Sequence, residues 1–247
     1  MSPKPRPLRS KAPSLRVERG LLRDGYASLA CSDEVGRGAL CGPVTVGMVL
    51  ITAETRTAPQ GVRDSKLLSP EARQRLVPRI QRWAPAYGVG HASSAEIDEY
   101  GVIAALRLAG HRAMAMLASE PGAVLLDGNH DYLTPPEQLS MLTPPGLLET
   151  VPPVVTMIKA DMKCAAVAAA SILAKTARDA IMVGLADEFP VYGWADNKGY
   201  SAPDHIAALA EHGPTPYHRT SWSLPGIEAL HEVGSPMTMK GACADEC

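Results

Sequence analysis

Residues 163–189, KCAAVAAASILAKTARDAIMVGLADEF, constrain this chain more than any other stretch. Alanine is the strongest helix former, no proline interrupts the run, and so it predicts one long helix. Its small side chains let such a helix lie close against a sheet. Strand-like runs supply that sheet. Residues 26–32 alternate loosely, and 41–52 (CGPVTVGMVLIT) form a second β-rich run joined to the first through Gly36-Arg37-Gly38, which predicts a hairpin. Further strands are expected at 86–92, at AVLLD ending on Asp127, and in PVVTMIK. Ser69-Pro70-Glu71 opens a helix running to about Arg82, with serine as cap and proline at the first helical position. Ser94 is read as the cap of a short helix, and 102–118 has helical spacing. Residues 131–153 contain six prolines and are expected to form a loop or short helical insertion. Strands first, then strands alternating with helices, predict an α/β fold with a mixed sheet whose strand order stays open.

The length of 247 residues and 46% hydrophobic content suit one large domain, placed at 21–224. Residues 1–20 carry four prolines and many charges and are expected to be a disordered basic leader; 225–247 lack periodicity and read as a flexible tail. The first 25 residues hold seven basic and two acidic side chains in a chain of net charge −2, so a basic arm precedes an acidic body. That arm suits either weak phosphate attraction or a solubilising leader. No apolar run reaches the ~18 residues of a membrane span, and the N-terminus lacks a signal-peptide core, so a cytoplasmic protein is the default. The five cysteines form no CxxC pair; Cys31, Cys41 and Cys164 read as buried small hydrophobes, while Cys243 and Cys247 lie in the tail.

The chemistry begins at Asp33-Glu34, two acids directly after the apolar run ASLACS. A regular strand sends neighbours to opposite faces, so both serve one site only if the strand ends or bulges there. Asp127 is delivered by four apolar residues to a strand end, where ligands gather in open α/β sheets. Asp161 lies between a strand and the long helix. Each has an ordinary explanation alone: an exposed turn, a strand-to-loop aspartate, a helix cap. Four acids in three such places together point to hard divalent cations and phosphodiester chemistry. No Ser-His-Asp or Cys-His pattern offers a rival, and His91, His111, His130, His205 and His218 are scattered and read as structural or surface groups.

At these residues the chain resembles the ribonuclease HII family. SDEVGRGALCGPV is similar to the family's Asp-Glu-x-Gly-Arg-Gly signature, and RDSKLLSPEAR, HASSAEIDEYGVIAALRLA, LLDGNHD, KADMKCAAVAAASILAKTARD and YGWADNKGYSAPDHIAALAEHGPTPYHRTSW follow in family order across about residues 26–222. Three departures stand out. Asp64-Ser65-Lys66-Leu67-Leu68 has one lysine fewer than the family pattern, Gly101 replaces an asparagine, and the gap from Asp127 to Asp161 is long. The resemblance implies a ribonuclease H-like mixed sheet flanked by helices, with a C-terminal helical portion. It implies a two-metal site of Asp33, Glu34, Asp127 and Asp161 using Mn2+ or Mg2+. The substrate is then an RNA–DNA hybrid, or a DNA duplex containing ribonucleotides, cut by a monomer. Gly36, Arg37 and Gly38 take the place of the element that senses the 2′-hydroxyl, and Tyr200 that of the tyrosine stacked at the junction sugar. Lys66, Ser171 and Lys175 are candidate substrate contacts, with Arg178 on the same helix face and Asp179 read as a brace. Rival readings are another ribonuclease H-like nuclease, such as a junction resolvase, and a catalytically silent hybrid-binding protein.

Overall fold

Leu29 and Cys31 pack into one hydrophobic cluster and Ala30 into another, so the first strand divides the molecule into two cored halves. The computed structural model describes residues 12–136 and 143–227. In chain order it contains α1 (Arg16–Arg23), β1 (Ser28–Val35), β2 (Val44–Thr52), a 3-10 turn (Ser65–Leu67), α2 (Pro70–Trp83), β3 (Ala86–Ala92), α3 (Ser94–Tyr100) and α4 (Val102–Ala115). These are followed by β4 (Ala123–Asp127), β5 (Val154–Met157), α5 (Ala160–Lys163), α6 (Ala165–Ala186), a 3-10 turn (Pro190–Tyr192), α7 (Trp194–Asn197) and α8 (Pro203–His212). The sheet order is β3-β2-β1-β4-β5. β1, β2 and β3 pair antiparallel, whereas β1–β4 and β4–β5 are parallel, which makes the sheet mixed.

The alanine-rich segment forms α6 and covers one sheet face with α2 and α1; α4 covers the other. The close approach is visible at Gly47 of β2, where a Cβ would meet the Ala170 carbonyl oxygen at 2.4 Å. Any side chain there would push the helix off the sheet. The Ser69 cap of α2 is present, its hydroxyl accepting from Ala72 N. The cap of α3 is Ser93 rather than Ser94, in a full capping box with Glu96. In the Pro-rich stretch, the described residues 131–136 and 143–153 contain no helix or strand. His111 ties the stretch to α4: Nε2 donates to Leu133 O, and Nδ1 accepts from Leu148 N. No helix among the described residues is long and apolar enough to cross a membrane.

The expectation of a disordered leader over 1–20 is corrected in part. Ser14 pairs with Cys164, Leu15 is buried, and α1 begins at Arg16. Its helical face was masked by the basic composition around it. Residues 1–11 and 228–247, which hold most of the expected leader and tail, lie outside the described residues.

Glu18 of α1 is fully buried and accepts from Ala166 N at 3.0 Å, so it caps α6, which has no side-chain cap of its own. Burial pushes its carboxyl up to about 7, against the opposing effect of the backbone N–H at Ala166. The folded state therefore holds this proton more tightly than the unfolded chain does. The stabilisation is complete below the ordinary carboxyl range and is lost as pH rises through about 7. Glu18→Gln carries no such titration. Between about pH 5 and about pH 8 it should gain on the wild type in urea unfolding, by up to ~3 kcal/mol. A stability gap that stays constant over that range would show that Glu18 does not take up a proton on folding.

Candidate active site

β1 pairs with β4 only as far as Ser32, but continues beside β2 to Val35 in unbroken register. Asp33 and Glu34 therefore sit within a regular strand, past the point where its other neighbour has ended. The strand has no bulge there; what ends at Ser32 is its pairing with β4, and past that edge both acids reach one cleft. By strand alternation Asp33 points to the α6 side with Leu29 and Cys31, and Glu34 to the opposite side. Asp127 ends β4 on the same side as Leu125, and its Oδ1 accepts from Ala160 N at 2.6 Å. That bond ties the strand end to α5. Lys159, at φ 58°, turns the chain left-handed out of β5, so that Asp161 comes back toward the sheet.

Carboxylate oxygens of Asp33, Asp127 and Asp161 all lie within 4.8 Å of one another. Glu34 stands beside this triad but outside it, and Tyr132 Oη donates to its Oε2 at 3.4 Å. Asp33 and Asp161 are each only 5% exposed, so the negative charges are crowded where water screens them poorly. Burial, opposed by a Ser171 hydrogen bond and reinforced by Glu34, Asp127 and Asp161, pushes the Asp33 carboxyl up to about 8. Burial and Asp127 likewise raise Glu34 and Asp161. Lys66 Nζ, on the exposed rim, comes to 3.8 Å from Asp161 Oδ2. A compact set of hard oxygen donors with so little cationic relief fits a divalent cation.

Asp33 of the triad, with Glu34, also faces a cleft of about 260 Å³ whose other lining residues are Val35, Ser65, Lys66, Ser171, Lys175 and Tyr200. Six residues named from the sequence thus meet in one place. Ser171 Oγ and Ser65 Oγ share a 2.8 Å hydrogen bond. Lys175 Nζ donates to Asp179 Oδ1 at 2.6 Å, while Arg73 donates to Asp179 Oδ2 at 3.0 Å, so Asp179 braces both. The Tyr200 ring lies 5.5 Å from Lys175 Nζ and 5.2 Å from the Arg178 guanidinium carbon. Gly36 has φ +87°, and a Cβ on it would strike Arg178 Nε at 2.3 Å and Pro43 O at 2.7 Å. Arg37 and Gly38 are exposed. Arg178, counted with the groove by its helix spacing, is instead fully buried behind the turn.

Cys41, His205 and His218 also converge, with ligand atoms within 4.8 Å. Their hydrogen bonds account for every ring nitrogen. His205 Nδ1 donates to Tyr200 O at 2.9 Å, leaving Nε2 to accept from Trp194 Nε1 at 3.2 Å and from His218 Nε2 at 3.0 Å. His218 Nδ1 accepts from Thr215 N at 2.9 Å. Burial, with His205 beside it, holds the His218 ring down at about 4. The pair is neutral and internally satisfied, a packing node rather than a metal centre.

Sequence reasoning missed Ser65, Tyr132, Arg73 and Arg219. Ser65 stood inside the quoted DSK motif, and Tyr132 two residues past His130, so proximity to a named motif was the available signal. Arg73 and Arg219 also lay inside quoted motifs, RDSKLLSPEAR and PYHRTSW, but nothing local told them from surface arginines, because Asp179 and the carbonyls of Gly36, Arg37 and Gly42 are distant in the chain.

A profile described as Ribonuclease HII matches residues 30–224. The chain belongs to the ribonuclease HII family. Ribonuclease HII of Streptomyces avermitilis is 48% identical over 228 residues, covering 90% of this chain and 91% of that protein. Ribonuclease HII of Streptomyces coelicolor is 47% identical with the same coverage. Among solved structures, the ribonuclease H2 from Pyrococcus horikoshii matches with TM-score 0.62 and 26% identity, covering 83% of this chain and 98% of that one. Membership in the ribonuclease HII family makes the chain an endoribonuclease, a hydrolase of phosphodiester bonds. Every candidate site residue falls inside the matched range, and the observed mixed sheet flanked by helices agrees with the expected fold.

Proposed function

We propose that this endoribonuclease hydrolyses the RNA strand of RNA–DNA hybrids and cuts on the 5′ side of single ribonucleotides embedded in duplex DNA, leaving a 3′-hydroxyl and a 5′-phosphate. The observation that carries the reading is the carboxylate triad, whose Asp33 also lines the cleft formed with Glu34, Lys66, Ser171, Lys175 and Tyr200. Asp33, Glu34, Asp127 and Asp161 would hold two divalent ions, Mn2+ or Mg2+, which when bound supply an acidified water and neutralise charge at the scissile phosphate. The chain's own side chains do the rest. Lys66 stands at the rim beside Asp161, where it attracts the phosphate. Tyr200 presents a ring to the neighbouring sugar, backed by Lys175 and Arg178. The exposed Arg37 and Gly38 meet the ribose, where close backbone approach senses a 2′-hydroxyl. All these groups belong to one chain, so a monomer suffices, and the activity would serve ribonucleotide removal from DNA in the cytoplasm.

The test is a labelled RNA–DNA hybrid incubated with the purified protein and Mg2+ or Mn2+, and in parallel with a chelator. Cutting of the RNA strand with metal alone is the expected result. Cutting in chelator would remove the two-metal reading, and cutting of an all-DNA junction in place of the hybrid would favour a resolvase.

A further inference from the structure

Two guanidinium groups lie in the interior directly behind the Gly36–Gly38 turn. Arg178 and Arg219 are both fully buried, and among the described residues neither forms an ion pair. Backbone carbonyls satisfy them instead. Arg219 donates Nη2 to Gly36 O at 2.6 Å and Nη1 to Arg37 O at 2.9 Å, and reaches Gly42 O through Nη2 at 3.1 Å. Arg178 donates Nε to Pro43 O at 2.8 Å, Nη2 to Cys41 O at 3.0 Å and Nη1 to Lys198 O at 2.9 Å.

A trans peptide carries its C=O and N–H in opposite directions. With the carbonyls of Gly36 and Arg37 held inward, the N–H groups of Arg37 and Gly38 point outward, away from the guanidinium. The inner arginines thus set the outward donor face of the turn. Arg178 does more than Arg219. It holds the return arm of the turn at Cys41 and Pro43, holds Lys198, and lies under the Tyr200 ring. Arg178 therefore bridges the turn and the tyrosine from within, beside the backbone bond from Leu40 N to Gly199 O at 2.8 Å. Burying a cation with no carboxylate partner is costly.

We infer that Arg178 is a positioning residue that joins the Gly36–Gly38 turn and Tyr200 into a single grip, and that this coupling lets the site select an isolated ribonucleotide. The inference rests on the substrate reading above. A uniform hybrid offers a 2′-hydroxyl at every step and an A-form shape along its length, so it depends less on that coupling.

Arg178→Lys keeps the charge and loses the three-way fork. On a duplex with one embedded ribonucleotide, KM should rise about tenfold while kcat stays within about threefold. On a uniform RNA–DNA hybrid, kcat/KM should fall by no more than about threefold, and the Mn2+ concentration for half activity should not move. A parallel loss on both substrates, leaving their ratio unchanged, would overturn the inference and leave Arg178 as a fold support. Should the variant fail to fold, the wild-type protein decides: the Arg178 Nε–H resonance should shift on adding an uncleaved single-ribonucleotide duplex in Ca2+ and stay in place with all-DNA duplex. No shift, or the same shift with both, would contradict it. A wild-type protein that cuts neither substrate would remove the substrate reading, and the inference with it.

Discussion

Asp33→Asn should lose at least about a thousandfold in cleavage while the metal-free protein melts at a higher temperature than the wild type. Asn preserves shape and volume but is a poor ligand for a hard cation. Asp33 is the most constrained member of the triad. It is 5% exposed, lies on a strand paired along its length with β2, and has its Oδ1 2.8 Å from the Glu34 amide. The stability gain follows from the same crowding, since one oxygen of each of the three carboxylates lies within 4.8 Å of the others. Neutralising one relieves repulsion in a medium of low effective dielectric. Adding Mg2+ or Mn2+ should reverse the order, because an ion that binds only the folded wild type raises its melting temperature. Wild-type turnover by the variant, or a metal-free melting temperature below that of the wild type, would show that the triad is not the metal centre.

Arg219→Met should cost about 3 kcal/mol or more of unfolding free energy, read by urea unfolding. Methionine nearly fills the volume and removes a buried charge, and that relief alone would be stabilising. The carbonyls of Gly36, Arg37 and Gly42 decide the sign. They lose a donor at 2.6–3.3 Å each. They are also unable to swing out to water, because Gly42 N is bonded to Tyr217 O and Leu40 N to Gly199 O. Gly36 O keeps the Ala39 N–H at 3.2 Å, but the Arg37 and Gly42 carbonyls lose their donor, at about 1–3 kcal/mol apiece, which exceeds the relief. The Arg219 backbone is itself held, since Asp98 accepts four hydrogen bonds from Thr220 and Ser221 directly after it. Equal stability of the two proteins would mean that the turn is held by other contacts.

What could be read in the sequence and what could not divide along a physical line. Asp127 and Asp161 were legible because local pattern carries them: four apolar residues before one, a long alanine-rich helix after the other. The five strands and the close approach of α6 followed from the same local signals. Glu34 was only half legible. Strand alternation sends it to the opposite face from Asp33, and its hydrogen bond from Tyr132 beside the triad depends on a residue 98 positions away. α1 was hidden because seven basic residues over the first 25 looked like a solvated arm, while the residue that docks the helix, Glu18, is a carboxylate buried against α6. Arg178 and Arg219 were hardest to foresee. Arginine on a helix or in a loop reads as a surface cation, and only the assembled turn reveals six carbonyl oxygens gathered around two guanidiniums.

The central claim is that the turn, the tyrosine and the triad together recognise one ribose and place its 5′ phosphate over the metal site. It is tested most directly with a DNA duplex carrying a single ribonucleotide, 5′-labelled on that strand and incubated with the protein and Mg2+. A single product ending in a 3′-hydroxyl on the deoxynucleotide immediately before the ribonucleotide is the predicted result. An intact duplex, under conditions where a long RNA–DNA hybrid is cut, would contradict it.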